Sequence, residues 1–345
     1  MTLNKNIIKN ELEESLGKLD ISEYSRNDTL HPSLVTGSYC WQTTLSRKID
    51  FNGVGLHSGN EVKVSIKPGK EDTGITFIRT DLNGDIKKRK IKANYLFVSD
   101  TSLCTTIENE YGIKVSTIEH IMAAFNGSGI DNAEVELDNI EVPIMDGSSL
   151  PFLNLIEEAG ITQQSAKRKI LKILQKVEVK EDNKTCSINP SNGFDFITEI
   201  DFDSLAVGKQ SAALSIDNYG FKDFAANART FGFMKDVEYM KSLGLGLGGN
   251  LENCIIIDND KVINPDGLRH TNEFSRHKLL DAVGDIFTAG YRIQGCYKGV
   301  RSGHYMNNLL LKKIFSSPLN YEIIDAKVLK KEQRNSNNIS KISVS

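Results

Sequence analysis

One order of segments occurs twice along this chain of 345 residues. From Gln42 onward, β-rich runs with alternating faces are separated by Gly, Asn and Asp turns. They lead to a helical pattern at Thr117–Asn126, which we expect Gly127 to end. The second half again begins with strand-like runs, and its helical pattern is Asn272–Gly290. The two halves share this order without any residue-level repeat. Strands followed by helices in each half predict an α+β protein, in which two similar two-layer domains of sheet and helix pack as a pair.

The same patterns suggest where the domains begin and end. Residues 1–40 are polar, and we expect a loosely ordered extension with a short helix near Glu11–Lys18. The polar run Gln163–Arg168 separates a first domain, 41–165, from a second domain, 168–320. The second domain carries an insertion at about 227–257. The polar, low-complexity tail 331–345 is predicted to be disordered.

Composition excludes several classes of protein. The net charge of -3 gives no attraction to nucleic acid. The five cysteines are scattered and form no CxxC pair, which argues against a disulfide framework and a cysteine zinc knuckle and favours a reducing compartment. The N-terminus is too charged for a signal peptide, and no apolar run approaches the length of a membrane span. We therefore expect a cytoplasmic protein.

The helix predicted at Asn272–Gly290 carries an unusual row of side chains. Its apolar residues recur every three or four positions, and Asn272 is a plausible N-cap. His277, Asp281 and Asp285 are spaced by four, so they lie in line on one face. His277 and Asp281 could bind one divalent metal ion from this single helix. The alternative is a His–Asp ion pair on a solvated face.

A third ligand is available from the first half of the chain. His120 lies on the predicted helix Thr117–Asn126, and two histidines with one carboxylate leave a fourth metal position open, as in hydrolytic zinc sites. Glu119 precedes His120, so its side chain points about 100° away around the helix. It could serve as the general base for an attacking water, or it could be an exposed helix carboxylate.

Two other histidines lie in turns. His304 follows a glycine at a strand-to-helix turn and could act as an acid or an oxyanion partner, with Asp285 holding its imidazole in the protonated form. His57 lies in the glycine-rich turn GVGLHSG, where it could touch a ligand, although a structural or solvated role is the simpler interpretation.

One motif is expected to be a false match. Gly244, Gly246 and Gly249 have the spacing G-x-G-x-x-G, but a helical pattern precedes them and a strand pattern follows. A dinucleotide fingerprint requires the opposite order. We expect the glycines to allow a tight turn beside a narrow passage instead.

Five motifs occur in a fixed order: STIEH at 116–120, PIMDGS at 143–148, ARTFGF at 228–233, SRHKLLDAVGD at 275–285 and SGHYMNN at 302–308. Together they closely resemble the UDP-3-O-acyl-N-acetylglucosamine deacetylase family, the zinc amidases of lipid A synthesis in Gram-negative bacteria. The resemblance runs from about Gln42 to about Phe315. It does not reach residues 1–40 or the tail after about Lys330.

The resemblance implies two similar α+β domains with the active site between them. It implies that His120, His277 and Asp281 are the zinc ligands and that Glu119 is the general base. His304 matches the family's protonated imidazole, which acts as an acid or stabilises charge.

Further residues match family positions around the substrate. Asp285 corresponds to the residue that orients the imidazole, and Thr230 to the hydroxyl that helps bind the oxyanion. Lys278 matches a lysine near the sugar and diphosphate, and Phe231 an aromatic ring that packs near the substrate. The insertion at 227–257 resembles the passage that takes the acyl chain.

The implied reaction is hydrolysis of the N-acetyl group of UDP-3-O-(3-hydroxyacyl)-N-acetylglucosamine, the committed step of lipid A biosynthesis. The expected cofactor is one zinc ion per chain, although the same ligands accept ferrous iron. We expect a monomer with a small-molecule substrate. Two alternatives stay open: a zinc amidase acting on another acetylated sugar, and a non-catalytic protein that binds sugar nucleotides or lipids.

Overall fold

The computed structural model describes residues 40–216 and 220–326. The predicted N-terminal extension, its short helix near Glu11–Lys18 and the predicted disordered tail lie outside the described residues, apart from residue 40. No helix in the described ranges is long and apolar enough to span a membrane.

The first half combines ten strands and three α-helices within the described residues. The strands are β1 (Trp41–Leu45), β2 (Ile49–Val54), β3 (Glu61–Pro68), β4 (Ile75–Arg79), β5 (Lys90–Lys92), β6 (Val98–Asp100), β7 (Thr106–Glu108), β8 (Lys114–Val115), β9 (Ala133–Leu137) and β10 (Ile161–Lys167). The helices are α1 (Ile86–Arg89), α2 (Glu119–Ser128) and α3 (Leu150–Ala159).

The main sheet of the first half has the strand order β2-β3-β9-β4-β5. Along β3 the side chains of Val62, Val64 and Ile66 are buried while their neighbours are more exposed, because successive residues of a strand face opposite sides. β4 pairs in parallel with β9 in the middle of the sheet and is buried along its whole length. The polar run Gln163–Arg168 lies mostly in β10, which pairs with β1.

The second half repeats the combination of strands and helices. Its strands are β11 (Lys169–Ile173), β12 (Val177–Glu181), β13 (Lys184–Asn189), β14 (Phe194–Asp201), β15 (Lys209–Ser215), β16 (Phe231–Phe233), β17 (Ile255–Asp258), β18 (Lys261–Val262), β19 (Arg292–Val300) and β20 (Tyr321–Asp325). Its helices are α4 (Met234–Ser242), α5 (Glu273–Phe287) and α6 (His304–Phe315). The main sheet has the order β12-β13-β19-β11-β20, with β14 joining β19 to β15, and β16, β17 and β18 form a small separate sheet.

Helix α5 lies at the centre of the molecule. Every residue of α5 except Lys278 is buried, and α2 packs directly against it. The row of His277, Asp281 and Asp285 therefore does not face solvent, and the solvated-face alternative is wrong. The predicted α+β class is confirmed, with the two helical layers in contact between the sheets.

The bounds of α2 differ from the sequence prediction. The predicted helix Thr117–Asn126 was expected to end at Gly127, whereas α2 is Glu119–Ser128. Thr117 has a φ of 58°, which prevents an earlier start. Gly129 ends the helix in the left-handed conformation, as C-terminal glycines often do. Gly127 lies inside the helix, and no larger residue fits there because a Cβ would lie 2.1 Å from the ring of Phe221.

The bounds of α5 differ too. The helix ends at Phe287, and Asn272 precedes its first residue without capping it through its side chain. The amide oxygen of Asn272 instead accepts a hydrogen bond from Arg276 Nε at 2.6 Å.

The glycine run at 244–249 joins the two halves. The backbone N–H of Gly248 donates to the carbonyl of Leu56 at 3.0 Å, and that of Leu247 donates to the carbonyl of His57 at 3.1 Å. A Cβ on Gly248 would lie 2.2 Å from the carbonyl oxygen of Gly55. α4 precedes the run and β17 follows it. This order is not that of a dinucleotide fold, as predicted, and the glycines permit close contact between two turns.

Candidate metal centre

Three side chains from both halves of the chain converge. Nε2 of His120, on α2, lies 3.5 Å from Asp281 Oδ1, and Nε2 of His277 lies 3.3 Å from the same oxygen. His277 and Asp281 are one turn apart on α5, which places them on one face. The three residues are only 4%, 2% and 3% exposed, and their ligand atoms all lie within 4.8 Å of one another.

The chemistry of this cluster fits a divalent cation. Asp281 Oδ1 is buried and has no hydrogen-bond partner, although two imidazole nitrogens face it. A buried carboxylate oxygen without compensation is costly, and a cation shared by the three groups would compensate it. His277 Nδ1 lies 3.1 Å from the carbonyl of Ala228, an arrangement that leaves the Nε2 lone pair facing the cluster.

The electrostatics of the cluster give the protonation states that metal ligands need. Burial lowers the pKa of His277 to about 4, so its imidazole is neutral at pH 7. Burial acts to raise the pKa of Asp281, but the neighbouring His277 and Lys278 outweigh it and hold that pKa well below its usual value. Lys278 Nζ donates to Asp281 Oδ2 at 2.8 Å, which leaves Oδ1 as the oxygen that faces the two imidazoles.

Glu119 is a buried carboxylate beside the cluster, so the alternative of an exposed helix residue is wrong. Its Oε2 accepts a hydrogen bond from the backbone N–H of Thr105 at 3.0 Å. Its Oε1 lies 3.9 Å from His304 Nε2. Burial raises the pKa of Glu119, which makes the carboxylate a stronger base than one in water.

His304 is held by the carboxylate of Asp285, as the sequence analysis predicted. Its Nδ1 lies 2.8 Å from Asp285 Oδ2. Burial alone would lower the pKa of His304, but Asp285 and Glu119 raise it to about 9, so the imidazole is protonated at neutral pH. The side chain of Thr105 donates to Asp285 Oδ1 at 2.6 Å while its backbone holds Glu119. Thr105 therefore fixes both carboxylates.

These groups open onto a cavity of about 880 Å³. Thr230, Phe231 and Lys278 all line it, together with the metal cluster. The backbone N–H of Thr230 donates to the carbonyl of Gly147 at 2.8 Å. Phe231 packs edge-on against Phe274, with ring centroids 4.9 Å apart, and the Lys278 ammonium lies 5.7 Å from the Phe231 ring centroid. The structure thus brings together all nine side chains that the sequence singled out.

His57 also lines this cavity, and its two ring nitrogens are buried without a hydrogen-bond partner. Its position is set by Glu141, whose carboxylate accepts the backbone N–H groups of His57 at 2.9 Å and Ser58 at 2.8 Å. The side chain therefore faces the cavity instead of bulk solvent.

Sequence reasoning missed several cavity residues. Lys184, the first residue of β13, and Arg301, three residues before His304, bring two more cations to the wall. Arg301 donates to Asp201 Oδ2 at 2.5 Å. The one sequence signal that Arg301 lines the cavity is its position directly before the SGH motif. Of the insertion at 227–257, Thr230 and Phe231 line the cavity, while α4 has no buried residue.

An orphaned carboxylate oxygen that faces two imidazoles fits a divalent cation, and the buried Glu119 and the protonated His304 beside it could exchange protons with a ligand. This combination, between two α+β layers, defines a metal-dependent hydrolase. The chain belongs to the UDP-3-O-acyl N-acetylglycosamine deacetylase family, whose sequence model matches residues 42–316. The predicted family is confirmed, and the chain is a deacetylase of that family.

Curated relatives agree with this assignment. A protein of Neisseria meningitidis strain FAM18 is 46% identical over 286 residues, which cover 82% of this chain and 93% of the relative. A Pasteurella multocida strain Pm70 protein is 45% identical over 285 residues, or 82% of this chain and 92% of the relative. A Haemophilus influenzae strain 86-028NP protein is 44% identical, with the same coverage. Each is named UDP-3-O-acyl-N-acetylglucosamine deacetylase.

Proposed function

We propose that this enzyme hydrolyses the N-acetyl group of UDP-3-O-(3-hydroxyacyl)-N-acetylglucosamine, releasing acetate and the free amine, in the committed step of lipid A biosynthesis. The observation that carries the proposal is the orphaned Asp281 Oδ1, which faces His120 and His277 at the wall of the large cavity. Membership of the deacetylase family supplies the substrate class.

His120, His277 and Asp281 would hold the metal ion. When bound, a divalent cation supplies Lewis acidity toward the acetyl carbonyl and lowers the pKa of water toward about 7. Zinc is the proposed ion, because two imidazoles and one carboxylate with an open position are a typical zinc set. Ferrous iron is the alternative that these ligands accept.

Glu119 is the proposed general base. Its Oε2 is occupied by the Thr105 N–H, so Oε1 is the oxygen left to take a proton from the attacking water. The proton moves to Glu119 as the water oxygen bonds to the acetyl carbon. The leaving amine then needs one proton as its C–N bond breaks, and both Glu119 and His304 are positioned to deliver it.

His304 and Thr230 would stabilise the charge that develops on the acetyl oxygen. The imidazolium of His304 faces the same cavity as Glu119 and keeps its charge through its contact with Asp285. A fixed positive group costs little reorganisation during the reaction, which is why such groups contribute strongly to catalysis. The Thr230 hydroxyl would add one hydrogen-bond donor.

The cavity wall suits both ends of the proposed substrate. Lys184, Lys278 and Arg301 provide cations for the diphosphate. An apolar part of the wall suits an acyl chain and consists of Leu56, Ile144, Ile200, Phe202 and Phe231. We further propose a monomeric enzyme in the cytoplasm, where the five cysteines would keep the thiol form they have in the structure.

Acetate release by metal-stripped protein during titration with zinc tests the proposal. Activity should appear as zinc approaches one per chain and should be lost with a substrate that lacks the acyl chain. Turnover of the substrate without its acyl chain would favour an amidase for another acetylated sugar. Tight substrate binding without acetate release, at one bound metal per chain, would favour a binding protein.

A further inference from the structure

Behind the His304–Asp285 pair lies a row of polar groups that the proposed reaction does not use. Two of them, Asn307 and Tyr297, are buried, and the third, Ser302, is half-buried at the cavity wall. Tyr297 on β19 donates to Asn307 Oδ1 on α6 at 2.6 Å. Asn307 Nδ2 donates to Asp285 Oδ2 on α5 at 2.8 Å. Ser302 Oγ lies 3.0 Å from the Tyr297 hydroxyl. We propose that Ser302, Tyr297 and Asn307 form a hydrogen-bond relay that fixes the carboxylate of Asp285 and thereby the imidazole of His304.

The relay has one permitted direction. A carboxylate accepts hydrogen bonds, and Asn307 turns its amide NH₂ toward Asp285 Oδ2 at 2.8 Å. The Asn307 oxygen then faces Tyr297, which must be the donor. Burial raises the pKa of Tyr297 well above its usual value, so the phenol keeps this proton. Since the Tyr297 proton is committed to Asn307, Ser302 must donate to the phenol oxygen.

The backbone makes room for the relay. A Cβ on Gly299 would lie 2.2 Å from Ser302 Oγ and 2.6 Å from the Tyr297 hydroxyl oxygen. Arg301 has a φ of 50°, a left-handed conformation that a non-glycine residue rarely adopts. Ser302 lies two residues before His304. These two backbone features allow its hydroxyl to contact the Tyr297 hydroxyl.

The carboxylate that the relay holds is shared by three donors. Asp285 Oδ2 accepts both His304 Nδ1 and Asn307 Nδ2, while Oδ1 accepts Thr105 Oγ1. Loss of the Asn307 donor would leave Oδ2 with the imidazole alone, and the carboxylate plane could turn about the remaining Thr105 contact. Tyr297 and Asn307 are thus positioning residues that act through Asp285, an inference that rests on the proposed function.

The substitution Tyr297→Phe tests the relay because it removes one oxygen atom and keeps the ring. The loss of one buried hydrogen bond should lower kcat about tenfold, with KM and bound metal unchanged. In an Asp285→Asn background the same substitution should cause no further loss, since residues that act through one group are not additive. Asn308→Ala is the matched control: Asn308 is also buried on α6, but its amide contacts the carbonyl of Tyr95 at 3.5 Å. Its kcat should stay near the wild-type value.

The relay would be overturned by an unchanged kcat in Tyr297→Phe, by an equal loss in both backgrounds, or by a loss that follows metal content. A second measurement does not depend on turnover. Exchange of the His304 Nδ1–H proton, observed by NMR in ¹⁵N-histidine-labelled protein, should be faster in Tyr297→Phe than in the wild type. Equal exchange would also overturn the relay, whereas a wild-type enzyme that released no acetate would refute the proposed function alone.

Discussion

Gly284 on α5 lies directly against the main-chain carbonyl of Glu119 on α2, so closely that a Cβ on Gly284 would stand 1.9 Å from that oxygen. The two helices cross at the residue that precedes the proposed ligand His120 and within one turn of the proposed ligand Asp281. The distances within the metal cluster therefore depend on a position where no side chain fits.

The first prediction concerns this crossing. Gly284→Ala should force α2 and α5 apart, lower the free energy of unfolding by about 1–3 kcal/mol and weaken metal binding, because overpacking shifts backbone. Chemical denaturation and metal analysis would measure both effects. Gly232→Ala is the matched control, since a Cβ at Gly232 meets nothing within 4 Å. Unchanged metal affinity in Gly284→Ala would show that the cluster tolerates a wider crossing.

The second prediction separates the base from the ligands. Glu119→Gln should retain about one metal per chain and lose activity by about 10²–10⁴-fold, the usual contribution of a general base. His277→Ala should lose the metal itself. Metal content and acetate release measured on the same samples decide between the roles. A Glu119→Gln protein with full activity would remove Glu119 from the mechanism.

The third prediction concerns pH. In the proposed mechanism His304 acts in its protonated form. Its pKa is raised from 6.5 to about 9, so activity should persist through neutral pH and fall as the pH rises through about 9. The proposed base Glu119 would act in its ionised form, so activity should also fall when the pH drops through its raised pKa. Asp285→Asn should move the alkaline limb of kcat/KM to lower pH, because the carboxylate that favours the imidazolium is gone. An alkaline limb that did not move would mean that another group produces it.

The fourth prediction follows from ligands supplied by both halves. A metal bound only by the folded protein adds to its stability, by about 4 kcal/mol at a thousand times the Kd. A chelator should therefore lower the Tm of the wild type and leave the Tm of His277→Ala unchanged. An equal decrease in both proteins would indicate that the chelator acts elsewhere.

Local patterns predicted much of the fold. The spacing of His277, Asp281 and Asp285 indicated one helix face, and a helix holds that relation wherever it lies. The burial of that face could not be predicted, because it depends on α2 packing against it. The end of α2 was misplaced at Gly127 because the reason for a glycine there, the ring of Phe221, is distant in sequence.

In the candidate site, too, some residues could be predicted from local patterns and others depend on contacts between distant parts of the chain. Short motifs and the family resemblance pointed to the proposed ligands and acid–base groups, and the structure brings their side chains together. Thr105 was missed because its contact with Asp285 spans 180 residues and no local pattern marks a threonine in a strand-like segment. Lys184 and Arg301 were missed because a lysine or arginine that lines a cavity cannot be distinguished in sequence from one on the open surface.

The contact between the turns at Gly55 and Gly248 has a consequence for how the cavity can diverge. A Cβ on Gly248 would lie 2.2 Å from the Gly55 carbonyl oxygen, and one on Gly59 would lie 3.0 Å from Leu247 Cβ. Neither turn can therefore accept a larger side chain at these glycines unless the other turn moves away. His57 lines the cavity, and the 244–249 run lies against the turn that carries it. The two turns should therefore be inherited as a unit, and a lineage that reshapes the His57 turn to suit a different ligand must carry compensating changes in the 244–249 run.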